Sequence, residues 1–387
     1  MTASGTLSAL VLCCLVTARA GAAGQGFELI LADHPASSAC GLAPLEDGLL
    51  VACNSPQGAF LLELASDGRV VSTVRSGDAS IASIARDSDG RLAILAGSEG
   101  SWVLILSGDG SGPTGAFDLP ADPRFDPVGV CPARDGGVIV AGTVAPGAFG
   151  AILLDSSGTF SQPSLFRVAD FDRASCVTST GDDGCLIVGT TRSQGVPGAE
   201  TVVLRLDPDM TFPWCRRFAS TGMSSPAAAI STRDGGFALA GAWTSAEGSA
   251  DPLARDILLM RLDEAGSILW TGSYAGLGAD SAVDLAQLED GGFAVLAGTS
   301  DEPGEWIGTM LLRVDSQGGE IWTRYYTTRR WSCPEALLAL PDGDLVCAGW
   351  TDPAGLGAEG REGQMIWVLR TGPDGFLREA GSSDEGR

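Results

Sequence analysis

The stretch Leu288-Glu289-Asp290-Gly291-Gly292-Phe293-Ala294-Val295-Leu296-Ala297-Gly298-Thr299 is a tight turn followed by an apolar run that ends in small residues. Asp and Gly accept the positive φ of a hairpin turn, so Ser281 to Leu288 before it and Phe293 to Thr299 after it are expected to pair antiparallel. A second hairpin follows, from Thr309 to Asp315 and from Glu320 to Tyr326, joined across Gln317-Gly318-Gly319. One unit is therefore four antiparallel strands, a to d. The same turn recurs at Asp47-Gly48, Asp89-Gly90, Asp135-Gly136, Asp183-Gly184, Asp234-Gly235 and Asp342-Gly343, at intervals of about 42 to 56 residues.

The b strands of these units are continuously apolar, as in Val138 to Gly142, Phe237 to Gly241 and Leu345 to Gly349. A strand wetted on one face alternates, so continuous runs predict burial on both faces. A parallel α/β sheet would need a crossover helix between strands, and no amphipathic helix stands between the turns. The pattern predicts an all-β fold, a seven-bladed β-propeller of four-stranded antiparallel blades. The last unit has a poor strand d, Phe376 to Ala380, whereas Phe27 to Ala32 precedes the first unit where a strand d should be. An open ring would expose a sheet edge and two apolar blade faces, so the N-terminal strand is expected to close the last blade against Met365 to Leu369.

Asp234-Gly235-Gly236 with Ala240-Gly241, followed by Leu262-Asp263-Glu264-Ala265-Gly266-Ser267-Ile268-Leu269-Trp270, resembles the extracellular β-propeller repeats of bacterial and archaeal surface proteins. Those repeats combine a DGG turn, a strand ending in A-G-x-T and an L-x-x-D-x-x-G-x-x-x-W hairpin. The unit from Asp290 to Trp322 matches nearly as well, and the first three units keep the turn and lose the Trp. The pattern is also distantly similar to the tryptophan-docking repeat of quinoprotein propellers, with the Asp-to-Gly step one residue shorter here. The resemblance spans roughly residues 27 to 380 and implies a fold, because a fold does not carry an activity with it.

Composition agrees with one exported β domain of 387 residues, with 54 Gly and 20 Pro. The formal charge is −24, and every one of the 24 cationic side chains is Arg. Such a surface repels phosphate backbones and anionic lipid, which argues against nucleic acid and membrane-surface partners. Residues 1–23 read as a signal peptide: Leu7 to Val16 is a short apolar region and Ala18-Arg19-Ala20 fits a small-residue cleavage site. A lipid-attachment reading at Cys13 would require a small residue where Leu12 stands. The propeller is expected over residues 24–380, the tail over 381–387, and no transmembrane span once the signal is removed. The mature part is expected to be secreted, periplasmic or cell-surface, and monomeric. Eight cysteines fall in it, and Cys40 and Cys53, flanking Asp47 on one hairpin, are the best disulfide candidates, although Cys53 can equally be a buried thiol.

Reaction chemistry is hard to find. His34 is the single histidine and has no nucleophile or base motif around it. Phosphate loops, nucleophile elbows and metal-ligand spacings are missing from the sequence, so neither a cofactor nor a metal site is expected. Function is expected on the face of the b–c and d–a connections, because the Asp-Gly and c–d turns occupy the other face and vary little. The long b–c loops are Thr244 to Arg255, Ser300 to Gly308 and Thr351 to Gln364. The candidate binding residues around them are Trp243, Trp306, Trp331, Trp350, Asp280, Asp301 and Asp352. Rings that stack on sugar faces and carboxylates that accept hydroxyls suit carbohydrate, and a cell-surface protein is the other expected partner. Trp243 and Trp350 also read as caps on the apolar seams between blades. Two functions stay open: a non-catalytic binding or scaffold module, and a carbohydrate-active hydrolase or lyase with two facing carboxylates about 5 to 10 Å apart.

Overall fold

The computed structural model describes residues 17–19, 26–31, 37–87, 89–98, 101–107, 113–120, 125–194, 199–218, 223–244, 255–276, 278–300, 308–326, 331–352 and 364–377. His34, Trp306, Asp301 and the tail 381–387 lie outside them. The described chain is a seven-bladed β-propeller of antiparallel sheets. From inner strand a to outer strand d, blade 1 is Ser38–Leu45, Gly48–Ser55, Gly58–Ala65 and Val70–Gly77. Blade 2 is Ser80–Arg86, Leu92–Ser98, Ser101–Ser107 and Pro113–Asp118. Blade 3 is Phe125–Pro132, Val138–Val144, Ala148–Leu154 and Ser164–Phe166. Blade 4 is Phe171–Ser179, Cys185–Arg192, Glu200–Leu206 and Trp214–Phe218. Blade 5 is Met223–Ser231, Phe237–Thr244, Arg255–Leu262 and Ile268–Tyr274. Blade 6 is Ala279–Gln287, Phe293–Ser300, Gly308–Val314 and Glu320–Tyr326. Among the described residues the one helical element is a 3-10 turn, Arg134–Gly136, and no helix is long and apolar enough to cross a membrane.

Blade 7 takes strands a to c from Trp331–Ala339, Leu345–Asp352 and Met365–Thr371 and its fourth strand from Phe27–Leu31. Phe27 stands opposite Arg370 and Leu31 opposite Ile366, the expected closure. Phe27, Leu29 and Leu31 enter one core cluster with Phe60, Leu62 and Leu64 of blade 1, so the closing strand also seals the seam. Phe376 follows strand c of blade 7 outside the sheet, 56% exposed. A short strand, Thr17–Arg19, pairs on the outside of Phe27–Leu31, within the stretch whose sequence reads as an export signal.

Strand a of each blade touches strand a of the next, and Trp331–Ala339 touches Ser38–Leu45, which makes the ring. Seven apolar clusters fill the seven seams. Phe293–Ser300 is buried at every position, as its unbroken apolar pattern predicts. Each fully buried Val, Leu, Ile or Phe contributes about 1.5–3 kcal/mol, so the seams supply most of the drive to fold. Every inner strand carries one extra residue at the same place: Cys40, Ala82, Val128, Ser175, Ala227, Val283 and Glu335. Three of these bulges follow a proline, Pro127, Pro226 or Pro334. An edge strand with a bulge is where a residue without an N–H is tolerated.

Two polar and aromatic devices repeat on this frame. In blades 4 to 7 a buried arginine of strand c, Arg205, Arg261, Arg313 or Arg370, reaches the a–b turn of its own blade. Arg261 donates to the Phe237 carbonyl at 2.9 Å and to the Leu262 carbonyl, and pairs with Asp234. Arg205 pairs with Asp182 and Arg313 with Asp290 in the same way. Arg370 pairs with Asp342 at 2.6 Å and Asp344 at 2.8 Å, and donates across the seam to the Ser66 carbonyl at 3.1 Å. The second device joins neighbours: Trp214, Trp270 and Trp322 of strand d lie on Gly266, Gly318 and Gly375 of the following blade's c–d turn. A Cβ at those glycines would stand 3.0, 3.0 and 2.8 Å from the indole. Trp214 and Trp270 also meet Phe237 and Phe293 edge-on, each at 6.1 Å.

Candidate functional site

The b–c and d–a connections share one face, and the described candidates sit where strands enter it. Trp243 is the last residue but one of strand b of blade 5, opposite Met223 on one side and Asp256 on the other. Trp350 stands in strand b of blade 7 opposite Cys333 and Ile366, and Trp331 opens strand a of that blade opposite Asp352. Both Trp243 and Trp350 are half-buried. Strand alternation puts Trp243 on the side of Phe237 and Leu239, which fill the seam between blades 4 and 5. It puts Trp350 on the side of Val346 and Ala348, which fill the seam between blades 7 and 1. The rings therefore stand over different seams with blades 5, 6 and 7 between them, and the structure does not gather them into one pocket.

The two described candidate acids of this face, Asp280 and Asp352, belong to the frame. Asp280 is 0% exposed, lies opposite Thr299 in the ladder and accepts the Gly276 N–H at 2.5 Å. Burial raises its pKa. Asp172 does the same work in blade 4, accepting from Val168 N–H at 2.7 Å, Ala169 N–H at 3.1 Å and the Thr191 hydroxyl at 2.5 Å. In both blades the carboxylate ties down the d–a connection by satisfying its backbone donors. Asp352 is also 0% exposed.

Around the axis the inner strands carry titratable groups, of which sequence reading singled out only Cys40. Asp284 follows the bulge of blade 6 and accepts the Leu337 N–H of blade 7 at 2.7 Å and the Leu285 N–H at 2.8 Å. Burial pushes its carboxyl up to about 6, against those two bonds. Ser83, after the bulge of blade 2, accepts the Val130 N–H of blade 3 in the equivalent way at 3.4 Å. Burial, and the charge of Asp284 behind it, raise the Cys176 thiol to about 12. Burial, and then Glu335, do the same for Cys40 and Cys333. A lone acid among apolar residues, as in Ala282-Val283-Asp284-Leu285, was the available signal. Its strap to the next blade depends on the bulge that re-aims it.

Cys40 and Cys53 are free thiols in this structure. Cys40 is the bulged residue, so Ala39 stands opposite Cys53 instead. Cys40 Sγ lies 3.4 Å from the Ala52 carbonyl and Cys53 Sγ 3.8 Å from the Val51 carbonyl. Among the described residues no group of three or more His, Cys, Asp or Glu side chains could hold a metal ion. Two surface depressions lie on the other face, in the region of blades 1 to 3. One of about 480 Å³ is lined by Pro44, Glu46, Arg86 and Asp89, and one of about 220 Å³ by Arg91, Phe117 and Gly158.

No family model matches the chain, and no curated protein matches it in sequence. Solved structures match it in fold. A catalytically inactive virginiamycin B lyase from Staphylococcus aureus, solved with quinupristin, superposes with a TM-score of 0.59 at 12% identity, over 89% of this chain and 98% of that one. The BP39L lectin from Burkholderia pseudomallei does so at 0.54 and 11%, over 81% and 98%. YCF48 in a peptide complex does so at 0.51 and 13%, over 94% and 99%. Likenesses at this identity show the propeller fold and leave the ligand open.

Proposed function

We propose that this chain is a non-catalytic binding scaffold, exported by its N-terminal segment, that takes an extended carbohydrate or protein ligand across the loop face of blades 5 to 7. The observation that carries the reading is a contrast on that face. The rings of Trp243 and Trp350 stay half-buried at the rim, whereas Asp280 and Asp352 are both at 0% exposure. Half-open aromatic rings can stack on a ligand. Two carboxylates closed inside the frame are poorly placed to share a proton with a glycosidic bond, which favours binding over the carboxylate-enzyme reading. Because the rings stand over separate seams, a ligand using both has to be extended, a polysaccharide or a polypeptide segment rather than one sugar.

The test is a glycan array followed by calorimetric titration of the best oligosaccharide series. Affinity is expected to rise with chain length, and Trp243→Ala and Trp350→Ala each to weaken it by about tenfold or more, as loss of an aromatic anchor does. Release of reducing ends or unsaturated products, abolished by Asp280→Asn with binding retained, would replace this reading with the enzymatic one.

A further inference from the structure

We propose that the loop-face end of the seam between blades 4 and 5 is a subsite for an acidic polysaccharide, whose carboxylates are taken by Arg173 and Arg192 while its sugar rings lie on Phe171 and Trp243. The proposal rests on the binding reading above and names the charge of its ligand. Phe171 opens strand a of blade 4 opposite Arg192 of strand b, and Arg173 follows two residues on, opposite Thr190. Residues opposite one another in a ladder, and residues two apart on a strand, share one face of a sheet. Thr190 and Arg192 continue the side of Leu186 and Val188, which fill the seam towards blade 5. Trp243 stands on blade 5's side of the same seam, in line with Phe237 and Leu239. Phe171 is 58% exposed, and both arginines are exposed.

This rung is unlike its counterparts. In blades 3, 6 and 7 the first rung pairs Phe125 with Val144, Ala279 with Ser300 and Trp331 with Asp352, and no first rung but that of blade 4 carries a cation. Phe125 is 8% exposed and belongs to the core of its seam, so an open ring at this place is not a requirement of the fold. Acids outnumber arginines 48 to 24 in the chain, yet neither Arg173 nor Arg192 has an ion pair or hydrogen bond to another described residue. The acids beside them are engaged: Asp172 holds the three donors named above, and Asp170 accepts the Gln194 N–H at 2.8 Å. Asp256, opposite Trp243, sets one carboxylate against two guanidinium groups. A guanidinium fork matches a carboxylate bidentately, and an aromatic ring takes the apolar face of a sugar. At physiological ionic strength charges interact over about 8 Å, so a ligand meets this patch rather than the net charge of the chain. An acidic polypeptide brings carboxylates but no ring faces to cover Phe171 and Trp243, which favours the polysaccharide.

The full chain is screened against a panel of uronic-acid oligosaccharides and their neutral methyl esters, and the best pair is titrated by calorimetry. The acid form is expected to bind about tenfold or more tightly than the ester. Arg173→Gln and Arg192→Gln are each expected to weaken the acid form about tenfold while leaving ester binding and the melting temperature unchanged. Trp243→Ala is expected to weaken both forms. Equal binding of acid and ester, indifferent to the arginine variants but lost in Trp243→Ala, overturns the subsite and leaves the binding reading standing. Binding of poly-glutamate in place of the oligosaccharides, with the same loss in both arginine variants, assigns the patch to an acidic polypeptide and overturns the polysaccharide. Absence of binding by acid, ester and poly-glutamate alike overturns the subsite together with the reading it rests on.

Discussion

Blades 4 to 7 and blades 1 to 3 reach the same sheet by different chemistry. Opposite the second residue of strand b, blades 4 to 7 place Arg205, Arg261, Arg313 and Arg370, each buried and paired to an Asp of the a–b turn. Blades 2 and 3 place Leu106 and Leu153 there, and blade 1, whose strand b starts one residue earlier, has Glu63 on that side of the sheet, opposite Leu50. Strand d of blades 4, 5 and 6 carries the docking indoles, while Phe117 of blade 2 and Phe27 of blade 7 make the equivalent approach to Gly158 and Gly68. The apolar seam is thus sufficient for the blade, and the clamp is an addition to it. A buried ion pair is a weak source of net stability against an apolar replacement, although removing one partner alone is costly. What the arginine supplies that leucine does not is donors for strand-end carbonyls, which pins the a–b turn to strand c.

The comparison can be broken most severely at its boundary. Deleting residues 26–31 removes the strand that joins clamped blade 7 to unclamped blade 1 and takes Phe27, Leu29 and Leu31 out of their cluster. Calorimetry is expected to show loss of the cooperative transition, whereas trimming 381–387 leaves it in place; an unchanged melting temperature after the first deletion would refute closure by this strand.

Next in size, Arg313→Ala orphans the Phe293 and Val314 carbonyls and empties a buried site. It is expected to lower unfolding stability by about 2–4 kcal/mol, read by urea titration. Arg313→Leu, which copies blades 2 and 3, is expected to cost about half of that. Equal costs would mean that the leucine blades are not a fair substitute. Trp270→Ala is expected to cost about 2–3 kcal/mol, since it removes a half-buried indole whose Nε1 donates to the Ser316 carbonyl at 3.1 Å. Gly318→Ala, at φ +85 beneath that ring, is expected to cost about 1–2 kcal/mol. In the Trp270→Ala background the steric part of that cost is expected to vanish, a coupling visible in a double-mutant cycle.

The smallest effect is one of pH. Asp284 has a folded pKa of about 6 against an ordinary 3.8, so the folded chain holds that proton more tightly than the unfolded one. Its stabilising contribution is full below the unfolded value and is lost as pH rises from 3.8 towards about 6. Asp234 is shifted the other way, held low by the Thr232 hydroxyl and by Arg261, so its contribution is lost as pH falls below 3.8. Asp284→Asn is expected to flatten the stability profile between about pH 4 and 6 and to leave the acid limb unchanged. A profile that keeps its slope there would assign the proton uptake to another group.

Local code carried the strands, the turns, the number of blades and the identity of the closing strand. An Asp-Gly turn and an unbroken apolar run act over a few residues, and a count of them needs no tertiary information. The same local code set Cys40 close to opposite Cys53, whereas the bulge at Cys40 shifts the inner strand by one residue and brings Ala39 opposite Cys53. It placed Trp243 and Trp350 on one face, but which seam each covers depends on which side of strand b meets which neighbour. The recurring Arg in Leu204-Arg205-Leu206, Met260-Arg261-Leu262 and Leu312-Arg313-Val314 was visible as a pattern. Its partner, more than twenty residues earlier, became identifiable only when the two hairpins of a blade lay side by side. Contacts between blades, such as Asp284 with Leu337 or Ser83 with Val130, join residues about fifty positions apart. They exist because the bulges re-aim the inner strands and the Phe27–Leu31 strand closes the circle, and no periodicity along the chain encodes that angle.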